Sequence, residues 1–112
     1  MSTSKKREPV RPSAAVLARL KKRHPHVYRA VKNPTPKARL GANVTVFRLK
    51  KGMTREQLAA KAKLTHHALR KIEEAHPSSN PTVEAVEKLA RALKVDVLDL
   101  YQFIRQVESL VR

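Results

Sequence analysis

The stretch TREQLAAKAKLTHHALRKIEE, residues 54–74, decides the fold, because it holds two short helical patterns separated by only a few residues. The first pattern begins at Thr54, and Gln57 three residues later completes a capping box. The second begins at Thr65, and its apolar residues, Leu69 among them, recur at helical spacing. The joint is too short for antiparallel packing, so the sequence predicts two helices that cross steeply.

This crossing leaves the outer face of the second helix, residues 65–74, without a protein neighbour. Ala59 is small where the helices cross, and Leu58, Leu69 and Ile72 fill the wedge between them. The outer face carries hydrogen-bond donors or potential donors, namely His66, His67, Arg70 and Lys71. An α-helix fits the major groove of DNA with its N-terminal residues against the base edges, so the pattern indicates nucleic-acid recognition.

The sequence on either side of this stretch predicts three further helices. Apolar residues at helical spacing favour one helix over 38–50, which Gly52 ends. Another opens at Thr82, and a last one opens at Asp96 and carries an apolar stripe to the C-terminus. The fold class is therefore all-α, with a compact five-helix domain over residues 38–112 that ends in a C-terminal helix.

Most of the excess positive charge lies in residues 1–39, which hold 12 of the 25 Lys and Arg and a single acid, Glu8. The same third contains five of the seven prolines, which interrupt any long helix. We therefore expect residues 1–37 to form a basic, partly disordered arm outside the domain. The arm divides into a disordered segment over 1–12, a marginal helix over 13–23 and an extended linker over 24–37.

The composition excludes several classes of protein. A chain of 112 residues has room for one domain, and the absence of cysteine removes disulfides, thiolate zinc sites and cysteine nucleophiles. No apolar run approaches the roughly 20 residues of a membrane-spanning helix. No catalytic or cofactor-binding motif is present, so we predict no enzyme and no cofactor. The net charge of +16 predicts a polyanionic partner.

The histidines do not predict a metal site. His66 and His67 might be combined with His76, or His24 with His26, but no carboxylate or cysteine completes either ligand set. Adjacent residues on a helix also point about 100° apart. We therefore predict no metal.

Motifs spread over residues 39–101 together carry a family resemblance. They are Leu40-Gly41, Arg48-Leu49-Lys50-Lys51-Gly52-Met53-Thr54, Leu58-Ala59, Leu64-Thr65, Leu69, Ile72-Glu73, Pro81-Thr82, Leu89-Ala90-Arg91-Ala92-Leu93 and Val95-Asp96-Val97-Leu98-Asp99-Leu100-Tyr101. With this unbroken spacing the chain resembles the XRE/Cro-type helix-turn-helix family, which has a phage-repressor-like five-helix fold. The resemblance implies a sequence-specific, double-stranded-DNA-binding transcriptional regulator, a repressor. It also implies a cytoplasmic, nucleoid-associated location in a bacterium or phage.

The resemblance also assigns roles to individual residues. The recognition helix would be residues 65–74, with His66 and His67 facing bases. The full set of DNA-binding residues that it implies is Thr54, Arg55, Thr65, His66, His67, Ala68, Arg70 and Lys71. Arg70 and Lys71 would reach bases or flanking phosphates, and Thr54 and Arg55 would meet the DNA backbone. Glu73 would be structural, since DNA repels a carboxylate.

Three positions depart from the family pattern. Lys63 stands in the turn where glycine is usual, so either it adopts a positive φ at a cost of about 1 kcal/mol or the turn differs. Arg55 stands where glutamine often contacts a phosphate, and a cation suits that role. Ala75 stands where glycine usually follows the recognition helix, so the helix is longer or the next loop differs.

Two other functions stay open at this point. One is the antitoxin of a toxin–antitoxin pair, which binds its own operator and a toxin protein. The other is a nonspecific basic architectural or RNA-binding protein. The apolar stripe after Asp96 is either the closure of the monomer or a homodimer contact through the C-terminal helix. The arm is either a solubility tail or a segment that contacts phosphates.

Overall fold

The computed structural model describes residues 12–111, and these residues form seven α-helices and no strand. The helices are α1 (Ala14–Arg23), α2 (Pro25–Lys32), α3 (Pro36–Lys50), α4 (Arg55–Ala62), α5 (His66–Glu73), α6 (Val83–Leu93) and α7 (Val97–Tyr101), followed by a 3₁₀ helix (Val107–Leu110). The all-α prediction is confirmed. The marginal helix predicted over 13–23 is α1, and α2 is a further helix that the sequence did not predict. None of these helices is long and apolar enough to cross a membrane.

Hydroxyl side chains cap the starts of five helices: Thr35 precedes α3, and the other four are those that the sequence predicts. Ser13, Thr54, Thr65 and Thr82 each precede a helix, and each hydroxyl accepts the backbone N–H three residues on. The capping box at Thr54 is complete: Gln57 Oε1 accepts the Thr54 N–H at 2.9 Å, and Thr54 Oγ1 accepts the Gln57 N–H at 3.1 Å. These bonds satisfy donors that the first turn of a helix leaves without a partner.

The central helix α3 is buried on both sides. Leu40 and Val44 belong to one hydrophobic core, whereas Ala42 belongs to a second core. Leu40 and Ala42 are two residues apart, which is about 200° around a helix, so the two cores lie on opposite sides of α3. A helix that is buried all round in this way serves as the internal support of both halves of the molecule.

The first core lies between α3 and the four helices that follow it. It is aliphatic, as the composition predicts, and its fully buried leucines are Leu40, Leu58, Leu69, Leu89, Leu93 and Leu100. Removing a buried leucine side chain typically costs about 2–5 kcal/mol, so this cluster supplies much of the stability of the helices that carry the predicted site.

The second core joins α1, α2 and the C-terminal segment to α3. Its buried members are Leu20, Val27, Ala30, Ala42, Val107 and Val111. The extended linker predicted over 24–37 is therefore wrong, because α2 occupies most of it. Pro25 begins α2 rather than preventing it, since proline at the first position of a helix has no intrahelical N–H to lose. The disordered segment predicted over 1–12 lies almost wholly outside the described residues.

The continuous helix predicted from Asp96 to the C-terminus is also wrong. α7 ends at Tyr101, because the side-chain amide of Asn43 donates to the carbonyls of Leu100 and Gln102 at 3.0 and 2.9 Å. These bonds hold Gln102 in an extended conformation next to α3. The chain then leaves the helical axis that the sequence pattern predicts.

The end of the apolar stripe closes the monomer. Gln106 adopts a positive φ of 58° and turns the chain back toward α3. Val107 and Val111 are then buried in the second core. The other apolar positions that favoured a homodimer contact, Val97, Tyr101, Ile104 and Leu110, are partly buried and pack against the two cores of the same chain.

Gly41 allows α3 and α5 to approach each other closely. A Cβ atom at this position would lie 2.4 Å from the carbonyl oxygen of Glu73 and 2.5 Å from that of Ile72. Both neighbours are backbone atoms of α5, so neither moves away by a change of rotamer. Only glycine permits this spacing, and the spacing fixes where α5 lies against α3.

His26 links α2 to α3. Its Nε2 lies 2.9 Å from Thr45 Oγ1, and the Thr45 hydroxyl donates to the Gly41 carbonyl at 3.0 Å. The neutral ring therefore donates from Nε2 to the Thr45 oxygen. Burial lowers the pKa of His26 from 6.5 to about 4, and the attraction of Glu73 only partly opposes this effect. Burial lowers the pKa of His24 as well.

Replacement of Gly41 by alanine should destabilise the fold strongly. The added methyl group meets backbone carbonyls, and forcing α3 and α5 apart should cost about 3 kcal/mol. Urea denaturation of the variant measures this free energy of unfolding. Gly52→Ala is the control: Gly52 has a positive φ of 69° but open space around it, so its cost should stay near 1 kcal/mol. Equal losses for both variants would contradict the close contact.

Acidification should destabilise the protein through His26. Below pH 6.5 the unfolded chain binds a proton at this ring, whereas the folded chain does not bind it until about pH 4. The free energy of unfolding is therefore highest above pH 6.5 and decreases as the pH is lowered, by about 2 kcal/mol between pH 7 and pH 5. Urea denaturation at several pH values in this range measures the decrease. The His26→Gln variant should lose most of the pH dependence, and His24 should account for the remainder. An unchanged slope in the variant would contradict the assignment.

Candidate nucleic-acid interface

A tight turn of three residues joins α4 to α5. Lys63 adopts the left-handed conformation, with φ 57° and ψ 46°. This conformation lets the Leu64 N–H reach the Ala59 carbonyl at 2.9 Å and the Lys63 N–H reach the Ala60 carbonyl at 3.2 Å. The sequence left two possibilities for Lys63, a positive φ or a different turn. The structure has the positive φ, which costs about 1 kcal/mol.

The wedge between α4 and α5 is filled as the sequence predicts. Leu58 and Leu69 are fully buried, and Ile72 and Ala59 are nearly so. Ala75, like Lys63, takes a positive φ, so α5 ends at Glu73 and the loop that follows turns without glycine. The two helices therefore keep a fixed crossing despite the two missing glycines.

The outer face of α5 presents three of the predicted DNA-binding residues to solvent. His66, His67 and Arg70 are exposed, whereas Ala68 and Lys71 are half-buried. The Arg70 side chain is 59% exposed, and its Nε lies 3.4 Å from Glu74 Oε2, a separation typical of a weak surface ion pair. Its guanidinium is therefore available to an incoming acceptor.

The two threonines of the predicted site have capping roles. Thr65 Oγ1 accepts the Ala68 N–H at 3.0 Å, and Thr54 Oγ1 accepts the Gln57 N–H. Both residues are exposed at the N-termini of the two helices. Each threonine thus positions its helix, and a DNA contact by either of them stays a prediction.

A buried carboxylate joins α3, α4 and α5. Glu73 has no exposed side-chain surface, and its two oxygens accept from Arg48 Nε at 2.7 Å and from Arg48 Nη2 at 3.1 Å. Arg55 Nε donates to the same carboxylate at 2.8 Å. Arg48 Nη1 also donates to the Met53 carbonyl at 2.9 Å, which fixes the loop before α4. Every oxygen of this buried charge is therefore paired.

Arg55 has a different environment from the one that the sequence suggested. Its guanidinium lies against Glu73 and also contacts Glu74 Oε2 at 3.3 Å, which leaves 21% of the side chain exposed. The residue therefore holds α4 to α5, and its predicted contact with a phosphate stays a prediction.

Sequence reasoning recognised Glu73 as structural but missed its partners. Glu73 follows the buried Leu69 by four residues, so helical periodicity places it beside the apolar face of α5. That position was a signal for a buried acid that needs a cation. The identity of the cations could not be read from spacing, because Arg48 is 25 residues away in the chain.

The histidines are not gathered into a metal-binding group. Over residues 12–111 no three His, Asp, Glu or Cys side chains lie close enough together to hold a metal ion. His76 Nδ1 instead accepts the backbone N–H of Ser78 at 3.1 Å and lies 2.8 Å from the Ser78 hydroxyl, which shapes the loop after α5.

Comparison with known protein families gives one match. A family model described as helix-turn-helix covers residues 47–100, from the last turn of α3 to α7. Comparison with curated proteins finds no match, and comparison with solved structures finds none either. The matched segment contains the α4–turn–α5 unit and every residue of the predicted DNA-binding set.

Replacement of Glu73 by glutamine should destabilise the protein by about 3 kcal/mol, because it leaves Arg48 and Arg55 near a neutral group in a buried place. Urea denaturation measures the loss. Glu74→Gln is the matched control, since Glu74 is one-third exposed and joined only by longer contacts, so its loss should stay under about 1 kcal/mol. Equal losses for the two variants would show that the bridge does not anchor α5.

Proposed function

We propose that this chain, whose residues 47–100 form a helix-turn-helix domain of the XRE/Cro type, is a transcriptional regulator that reads double-stranded DNA sequence-specifically. We further propose that it acts as a repressor, by occupying a site that polymerase or an activator would otherwise use. A protein with this function would work at the nucleoid. The family match supports DNA binding, and the geometry of α5 supports the sequence-specific part of the proposal.

One observation carries the proposal: the exposed face of α5 offers donors on a helix whose position is rigidly fixed. His66 and His67 lie in its first turn, and Arg70 follows one turn later. Readout of bases needs side chains held at a defined depth in the major groove, because each hydrogen bond depends on distances near 3 Å. The buried Glu73 bridge supplies that fixed position.

The chemistry of this face suits base edges. Arginine donates two parallel hydrogen bonds to the O6 and N7 acceptors of guanine, and this pairing gives about 1–3 kcal/mol of discrimination. A neutral imidazole has one donor and one acceptor nitrogen, so His66 and His67 are able to pair with either kind of base group. We assign Arg70 to guanine and the two histidines to the neighbouring bases.

The rest of the helix-turn-helix unit suits the DNA backbone. The N-terminus of α4 has its capping box at Thr54 and the positive end of its helix dipole there. Lys50 ends α3, Lys51 follows it as the C-cap, and both are exposed just before this point. We assign them to flanking phosphates, where they add affinity that falls with salt and carries no sequence information.

Selection from a pool of random duplexes tests the proposal. At roughly 0.15 M salt, phosphate binding without sequence preference is weakened, so enrichment reports base readout. We expect one enriched half-site, because the apolar stripe that predicted a homodimer packs against the two cores of the monomer. A two-fold-symmetric motif would instead indicate a dimer built on another surface. No enrichment would contradict sequence-specific binding and favour a nonspecific basic protein.

Alanine at His67 or Arg70 should reduce preference for the selected site by about 1–3 kcal/mol per residue, because each variant removes hydrogen bonds to base edges. Competition between the selected duplex and a scrambled one measures this difference. Arg91→Ala is the control, since Arg91 is an exposed cation of α6 outside the recognition helix. It should weaken binding to both duplexes alike. Unchanged discrimination in His67→Ala and Arg70→Ala would refute the assignment of α5.

A further inference from the structure

An acidic side chain ends the exposed row of α5 that the proposed function assigns to DNA. His66, Arg70 and Glu74 are each four residues apart, so they follow one another along the same side of the helix. Glu74 is also the C-cap of α5. An acid at this place opposes the helix dipole, and its charge would repel the phosphates of a bound duplex. Neither the stability of the helix by itself nor general affinity for DNA accounts for it.

Two arginines approach the same oxygen of Glu74. Arg55 Nη1 lies 3.3 Å from Glu74 Oε2, and Arg70 Nε donates to that oxygen at 3.4 Å. Arg55 begins α4 and Arg70 belongs to α5, so the carboxylate lies between the two helices of the helix-turn-helix unit. The two positive charges balance the negative charge, which reduces the repulsion that a duplex would meet.

The contacts of Glu74 continue into the buried part of the domain. Arg55 Nε donates to Glu73 Oε1 at 2.8 Å, and Arg48 holds the same carboxylate. An isolated surface ion pair contributes little, because two mobile side chains lose entropy when they pair. Here Glu74 is already held from its other side by Arg55. The acceptor of Arg70 is therefore positioned by a network that begins in the core.

The contact at Nε leaves the outer end of the Arg70 guanidinium available. Nη1 and Nη2 have no hydrogen-bond partner within the part of the chain that the structure describes. These two nitrogens are a parallel pair of donors that matches the O6 and N7 acceptors of guanine. The guanidinium is planar and its donors are fixed relative to one another. An acceptor at Nε therefore limits the directions in which the pair points.

We propose that Glu74 is a positioning residue that orients Arg70 toward guanine and so sets the preference of the protein for that base. The inference rests on the proposed function, because it requires α5 to lie in the major groove. Without Glu74, Arg70 would keep its charge, but its guanidinium would be as free to meet phosphates as base edges. We therefore expect a loss of discrimination between sequences and no loss of general affinity for DNA.

Competition between the selected duplex and a scrambled one, with the full chain, tests this role. Glu74→Ala should lower the preference for the selected duplex about threefold, which is the scale of one ordered ion pair at a surface. Glu56→Ala is the matched control, because Glu56 is an exposed acid of α4 that forms no ion pair within residues 12–111. It removes the same charge and should leave the preference unchanged. An unchanged preference in Glu74→Ala, or an equal loss in Glu56→Ala, would overturn the proposal.

A double variant separates the orientation of Arg70 from support of the fold. In a chain that already carries Arg70→Ala, Glu74→Ala should lower the preference no further, because the side chain that Glu74 orients is absent. A second loss of about threefold in that background would show that Glu74 acts through α4 or through the helix itself, in the range of an ordinary surface contact. That result would overturn the proposal.

A modified base tests the contact with guanine directly. 7-Deazaguanine lacks the N7 acceptor, and it replaces each guanine of the selected duplex in turn. At the guanine that Arg70 contacts, the replacement should weaken binding of the parent protein about tenfold, as expected for loss of part of a paired contact. The same replacement should weaken binding of Glu74→Ala by only about threefold, because its Arg70 is less well directed. Equal penalties in the two proteins would contradict the orienting role.

The inference and the proposed function fail in different ways. If the parent protein does not prefer the selected duplex, or if Arg70→Ala leaves the preference unchanged, the proposed function or its assignment to α5 is wrong. If Arg70→Ala removes the preference while Glu74→Ala retains it, the assignment of Arg70 holds and only the orienting role of Glu74 is wrong.

Discussion

The position of α5, the proposed recognition helix, depends on a buried carboxylate. Glu73 accepts three hydrogen bonds from two arginines that come from α3 and from the start of α4. Desolvating a charge is costly, and here the cost is offset only because the partners meet it with good geometry. Gly41 makes this possible, since the absence of a Cβ lets α3 come within van der Waals distance of the last turn of α5. The ion pairs of Glu73 and the absence of a side chain at Gly41 together fix the position of α5 against α3.

This constraint explains how a small domain holds the exposed face of α5 in a fixed position. The side chains that face solvent, His66, His67 and Arg70, have almost no packing of their own. Their placement comes from the buried side of the same helix, where Leu69 and Ile72 fill the first core and Glu73 is bridged. Strain is accepted at Lys63, where a left-handed residue makes the turn, because the contacts on either side determine the crossing.

The second core makes the N-terminal helices part of the fold, where the sequence predicted an arm outside it. Leu20 and Val27 are fully buried, so α1 and α2 belong to the folded unit. The C-terminal segment completes this core with Val107 and Val111. Both ends of the described chain therefore support α3 from the side that the helix-turn-helix unit leaves uncovered. The exposed cations of α1 are therefore held on a folded helix and not on an arm outside the domain.

The sequence by itself determined the local elements: the four hydroxyl caps, the short joint between α4 and α5, and the exposed donors of α5. Each of these depends on hydrogen bonds and periodicity within a few residues, so the pattern is readable along the chain. Only the tertiary structure decided that α2 forms after Pro25, that the last helix ends at Tyr101, and that Arg48 and Arg55 meet Glu73. Those outcomes depend on which helix faces meet across long separations in the chain, and no local pattern contains that information.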